Sequence, residues 1–227
     1  MKIPRFGFLS ARTARLAFFD VVRLRARLMH RRSARPSSPQ LHLGSGSRKV
    51  TGWLNVDVLS SDYDVDIASG SLPWPNDVFT AVVSQHVIEH LEMEDELLPL
   101  LRELRRVMVP GAELWLSCPD MEKVCRAYVT DHAAALNDDR RRRMPGQALP
   151  DGMPPQHFVN WLFHQAGEHK NLFDFTLLQW ALAQAGFTRC ERANEAALLG
   201  RFPEFPVRND DFQSLYVVAH CGPRAAE

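Results

Sequence analysis

Cysteine is scarce and unpaired in this 227-residue chain. Cys118, Cys125, Cys190 and Cys221 form no Cys-x-x-Cys pair, which excludes a zinc knuckle and a disulfide framework and makes a reducing cytoplasm the expected setting. No uncharged apolar run approaches the roughly 18 residues that a membrane span requires. The N-terminal apolar residues are interrupted by arginine and form no secretory h-region, so a soluble body is expected. Net charge is missing too: 27 Lys and Arg face 27 Asp and Glu. A zero balance argues against a dedicated nucleic-acid binder.

That zero averages two unlike segments. Residues 1–36 hold ten Lys or Arg and one acid, Asp20, for +9, and the remaining residues carry −9. Within this arm Ala14, Ala17, Val21, Leu24 and Leu28 recur at three- and four-residue spacing, which predicts a basic amphipathic helix over about residues 9–32. The arm ends at Arg35-Pro36-Ser37-Ser38-Pro39, a linker composition. Three roles compete for it: peripheral contact with an anionic membrane face, a solvated helix packed on the domain or a partner, and an organelle-targeting leader.

From residue 40, short apolar runs alternate with helical stretches. Gln40–Leu43, Trp53–Val56, Thr80–Ser84 and Glu113–Ser117 read as buried strands, with Asp64–Asp66 a short third and two last strands near Thr188–Arg192 and Leu215–His220. Glu94–Val109 places Leu97, Leu98, Leu101, Leu104 and Met108 on one face of a helix, and Phe175–Ala185 is a second helix closed by Gly186. The alternation predicts an α/β fold over residues 37–227. Residues 121–170 break the rhythm with Arg140-Arg141-Arg142-Arg143 and a Pro- and Gly-rich patch from Pro145 to Pro155. An insertion of that length reads as a lid or binding loop.

Two features carry chemistry. Leu41-His42-Leu43 runs into Gly44-Ser45-Gly46, and glycines at the carboxyl end of a strand let a ligand approach the backbone. Asp57 ends the next strand, where an acid accepts hydrogen bonds from the vicinal hydroxyls of a ribose. A dinucleotide fingerprint wants a third glycine where Lys49 stands and an acid farther along. A ligand with ribose and adenine but no phosphate fits better, and S-adenosylmethionine is one.

Further motifs follow in order: Gly52-Trp53-Leu54-Asn55-Val56-Asp57, Ser71-Leu72-Pro73-Trp74-Pro75-Asn76-Asp77, His86-Val87-Ile88-Glu89-His90-Leu91, Leu101 to Gly111, His169-Lys170, Phe173-Asp174 and Ala185-Gly186-Phe187. In this order the chain resembles the class I S-adenosylmethionine-dependent methyltransferases, in particular small bacterial members associated with surface-polysaccharide biosynthesis. The resemblance implies a Rossmann-like seven-stranded sheet, mostly parallel, with the last strand antiparallel and helices on both faces. It implies cofactor contacts at Gly44, Ser45, Gly46 and Asp57, an adenine-edge contact at Asp66 and Ile67, and Ser84 facing the methionine part. The acceptor class it implies is a saccharide hydroxyl; the alternatives are a small-molecule or quinone-type methyltransferase and a non-catalytic cofactor-fold module recruited to a membrane assembly. The sequence departs from the family at Ser47-Arg48, in the short stretch before Asp57, and at Pro110-Gly111-Ala112.

A hydroxyl must lose its proton as it attacks, so a general base within reach would help. His86, His169 and Asp120 are the candidates, with His157 and His164 also in the insertion. Glu89 and His90 read as the opening of a helix, Glu89 serving its N-terminal amides. His157, His164, Glu168 and His169 lack tight ligand spacing, so no metal is expected. The four arginines are either a solvated helix face or a grip for an anionic acceptor such as a phosphate-bearing glycan or lipid-linked sugar.

Overall fold

A computed structural model describes residues 11–29, 35–147 and 149–223. Strands β1 (Gln40–Leu43), β2 (Leu54–Asp57), β3 (Tyr63–Asp64), β4 (Phe79–Gln85), β5 (Met108–Pro119), β6 (Arg189–Ala193) and β7 (Ser214–His220) form one sheet in the order β3-β2-β1-β4-β5-β7-β6. Only β7 runs against its neighbours, pairing antiparallel with both β5 and β6. The reversal of strand order lies between β1 and β4, and the crevice beyond their carboxyl ends is where an open α/β sheet binds ligands.

The alternation of side chains explains why both faces are covered. In β4, Val82 packs on one face while Ala81 and Val83 pack on the other, and β5 repeats this with Leu114 and Leu116 against Trp115. One face is covered by α2 (Leu98–Val107) and α6 (Phe175–Gln184), through Leu101, Leu104, Leu178 and Leu182. The other face takes α7 (Glu195–Arg201) and the aromatic group Trp53, Phe202 and Phe205. Each fully buried leucine of α2 contributes about 2 kcal/mol of transfer free energy.

Several boundaries differ from expectation: the third strand, expected over Asp64–Asp66, is Tyr63–Asp64, because Asp66 caps the turn Ile67–Ser69. The helix over 94–109 resolves into a π-helical turn, Met93–Leu97, followed by α2. Strand β5 starts at Met108 and passes through Pro110, because Gly111 takes a φ of 82° and its amide donates to the Cys221 carbonyl (2.7 Å).

The arm forms α1 (Ala11–Met29); the predicted ends of its helix, at residues 9–10 and 30–32, lie outside the described residues, as do Lys2 and Arg5. The expected stripe is corrected. Ala14, Val22 and Ala26 are buried, whereas Val21 and Leu28 are 66% and 79% exposed. Ion pairs accompany this orientation: Arg27 Nε lies 2.6 Å from Asp66, Arg23 lies 3.7 Å from Glu96, and Arg25 lies 3.9 Å from Asp64. Part of the arm's positive charge is thus met by the acidic domain. No helix among the described residues is long and apolar enough to cross a membrane.

After β5 come α3 (Met121–Asp131), α4 (Ala134–Arg143) and α5 (Gln156–His164), gathered round their own small core of Val124, Leu136, Phe158 and Leu162.

Candidate active site

The first edge of the site is made by the backbone between β1 and β2. Gly44 (φ 70°) and Ser45 donate their amides to the Val56 carbonyl (2.7 and 3.0 Å), and Gly46 (φ 53°) donates to Asp57 Oδ2 (2.8 Å). A side chain at Gly44 would meet Val87 Cγ2 at 2.1 Å, so glycine is required there by packing as well as by φ. At Gly46 the corresponding direction opens on empty space. Asp57 Oδ1 accepts from the Val58 amide (2.6 Å). Each carboxylate oxygen keeps further acceptor capacity for a ribose diol.

Two buried hydroxyls at this edge, Ser45 Oγ and Ser84 Oγ, have no hydrogen-bond partner among the described residues. Orphaned polar atoms beside an open glycine suit a polar ligand, and the group implied by the fold, S-adenosylmethionine, fits them. Beneath the loop, His42 Nδ1 shares a hydrogen bond with Asn55 Oδ1 (3.1 Å), which also accepts from the Val50 amide (2.8 Å). Burial pushes the His42 imidazole down to about 4, and the Asn55 bond only partly opposes it.

Asp66 is buried, with one oxygen capping the turn Ile67–Ser69 through the Ala68 amide and the other accepting from Arg27 Nε. Its carboxylate is committed to the turn and to α1. Ile67 stands beside it, partly buried against the main core.

The second edge is a cavity of about 450 Å³ between the ends of β4 and β5, the α4–α5 region and the segment 207–213. His86 enters it with a φ of 58°. Its Nε2 donates to Asp210 Oδ2 (2.8 Å) and its Nδ1 lies 3.3 Å from Glu89 Oε1. Burial alone would lower the imidazole, but hydrogen bonds and charge from these two carboxylates outweigh it and raise it to about 9. Asp210, which also accepts from the Tyr216 hydroxyl (2.6 Å), is held down at about 2. The two carboxylates therefore favour the protonated ring, which works against a proton-accepting role for His86.

Asp120, fully buried, caps α3 by accepting from the Glu122 and Lys123 amides (3.0 and 3.3 Å), which is a structural duty. His169 does line the cavity, its Nδ1 donating to the Leu162 carbonyl (2.5 Å), and burial lowers its pKa. The arginine run divides: Arg141 and Arg142 are exposed, while Arg140 is buried over the Trp161 ring (4.4 Å) and Arg143, paired with Asp139 (2.7 Å), turns to the cavity.

Sequence reasoning missed Arg48, Arg208 and Asp210, which reach the cavity from loops with no motif. Glu89 sits in the first turn of a 3-10 helix, Ile88–His90, and its carboxylate also lies against His86. The spacing His86-x-x-Glu89-His90 held that signal, because residues three and four apart meet on one side of a turn.

Residues 56–116 match the family described as methyltransferase domain. They run from the end of β2 through β4 and α2 to β5, well under half of the chain. No curated protein matches by sequence. Among solved structures, a chain from the Haloferax volcanii complex of the Trm112 methyltransferase activator with a methyltransferase is 14% identical, covering 94% of this chain and 95% of that one at a TM-score of 0.47. A SAM-dependent methyltransferase from Thermotoga maritima is 11% identical (89% and 88% covered, TM-score 0.43). The Haemonchus contortus phosphoethanolamine N-methyltransferase 2 bound to S-adenosyl-L-methionine is 12% identical (90% and 53%, TM-score 0.43). These distant likenesses say nothing about the acceptor. The matched segment carries β2 to β5 of this sheet, and Asp57, Ser84 and His86 lie within it.

Proposed function

We propose that the chain methylates a hydroxyl of a saccharide that carries an anionic group. The observation that supports this is the cationic cavity beside the glycine loop, lined by Arg48, Arg143 and Arg208. Arg208 Nε and Arg143 Nη2 are buried there without hydrogen-bond partners. Burial, followed by the nearby charge of Arg48, lowers the pKa of Arg208, a cost that a bound anion relieves. Guanidinium forks suit the paired oxygens of phosphate or carboxylate. The surface-glycan setting rests on the motif resemblance.

Gly44, Ser45, Gly46, Asp57 and Ser84 are the residues we assign to the cofactor, with the Asp66–Ile67 turn at its adenine end. The cofactor supplies an electrophilic methyl on a sulfonium: as the acceptor oxygen forms its bond to carbon, the carbon–sulfur bond breaks and its electron pair stays on sulfur. The protein's share is to align the acceptor with that methyl. We assign α3–α5 as the lid that excludes water. For α1, the exposed Leu16, Val21, Leu24 and Leu28 among arginines favour peripheral contact with an anionic membrane face. Cosedimentation with anionic vesicles that disappears on deleting residues 1–36 checks this.

The test of the acceptor is transfer of isotope-labelled methyl from S-adenosylmethionine to fractionated glycans. Label in acidic saccharides and not in neutral ones or in quinones is the expected result. Label confined to quinones or neutral small molecules overturns the reading.

A further inference from the structure

His86 is held between Asp210 and Glu89, Asp120 caps α3, and His169 anchors its ring through Nδ1 on the Leu162 carbonyl. What lies between them is a ligand set. A carboxylate oxygen of Glu89 and one ring nitrogen each of His90 and His169 lie within 4.8 Å of one another, and all three residues line the acceptor cavity. The chain brings them together from positions 79 residues apart. The amides of Lys170 and Asn171 donate to the Glu89 carbonyl (2.8 and 3.1 Å), and the Asn171 side chain donates to the Leu91 carbonyl (2.5 Å). The juxtaposition is therefore fixed by backbone bonds.

Two further observations point to a bound cation. Both rings place Nδ1 against a backbone carbonyl, His90 on Glu168 (3.2 Å) and His169 on Leu162 (2.5 Å). A carbonyl only accepts, so Nδ1 carries the proton and Nε2 the lone pair, the tautomer and anchoring that metal-bound imidazoles show. Glu89 is 1% exposed, and its Oε2 is buried with no hydrogen-bond partner among the described residues. Half of a buried carboxylate left unsatisfied is costly. His86 occupies Oε1, so Oε2 remains for an ion.

We propose that Glu89, His90 and His169 bind one divalent transition-metal ion whose remaining coordination positions face the acceptor cavity. Two imidazoles and one carboxylate suit zinc, iron(II), cobalt(II) or manganese(II) better than calcium or magnesium. The ion's role rests on the methyltransferase reading. An acceptor hydroxyl bound to it breaks its O–H bond more readily, the proton passing to water while the oxygen stays on the ion.

The full chain, stripped with chelator, is titrated with zinc and, in parallel, with cobalt(II) followed by visible absorption. One ion per chain is expected, with affinity reduced at least ~100-fold in His169→Ala and His90→Ala. His164→Ala, outside the cluster, keeps the wild-type affinity. Circular dichroism on each variant separates lost binding from lost fold, and Glu89→Gln, nearly isosteric, tests the carboxylate without truncating it. No ion bound by the wild type, or equal binding by wild type and both histidine variants, overturns the proposal. S-adenosylmethionine binding is measured on the same stripped samples and stays unchanged, so failure of the metal site and failure of the methyltransferase reading appear in different titrations.

Discussion

The two edges of the site are built by opposite means, and two histidines show it. On the glycine-loop side, His42 is buried beside a neutral amide and pushed down to about 4; on the cavity side, His86 is clasped by two carboxylates and raised to about 9. The first edge is backbone, made between Gly44 and Asp57 from amides, carbonyls and one carboxylate. The second is side-chain charge collected from Arg48, residues 86–90, α4, His169 and the segment 207–213. Backbone shapes a site for one invariant ligand, and convergent charge suits an acceptor that differs from enzyme to enzyme. If this division is real, the edges must fail separately.

The largest separation is expected from Gly44→Ala. A positive φ and a 2.1 Å approach to Val87 together cost about 3 kcal/mol or more, so denaturation should show a destabilised chain that no longer binds cofactor.

Next in size is a pH effect at the loop side. His42 is depressed in the folded chain, so its contribution is fully present above pH 6.5 and is lost as pH falls toward 4, by at most about 3 kcal/mol. Denaturant titrations across that window should show the loss, and His42→Gln should flatten it. A wild-type stability that is level from pH 6.5 to 4 would break the comparison.

Asp57→Ala removes the acceptor for the ribose hydroxyls and should weaken S-adenosylmethionine about 100-fold, or about 2.7 kcal/mol, by calorimetry. Ion binding at Glu89 should not change. The smallest effect belongs to Arg208→Gln, which should raise KM for an anionic acceptor about tenfold while leaving cofactor affinity intact. A loss of cofactor affinity in that variant would merge the two edges into one.

The same division explains what could be read from the chain alone. The positions of the strands, the α2 stripe through Leu101 and Leu104, and the glycine turn with Asp57 at the end of the next strand were legible, because each is set by local periodicity or by neighbours in the chain. The docked face of α1 was not: Arg23, Arg25 and Arg27 pair with distant acids, and Val21 and Leu28 face outward. The partners of His86 divide in the same way: Glu89 stands three residues on, whereas Asp210 lies far along the chain in a loop without a motif. Arg140 and Arg143 showed as a charge run, but which of the four turn inward depended on Trp161 and Asp139. Local rules fix the backbone edge, and only tertiary contacts fix the charged one.

The most direct test is calorimetric titration of the intact chain with S-adenosylmethionine, beside Asp57→Ala. Saturable binding of one cofactor per chain, lost in the variant, is the predicted result. No heat from the intact chain, or equal affinity in the two proteins, would contradict the account.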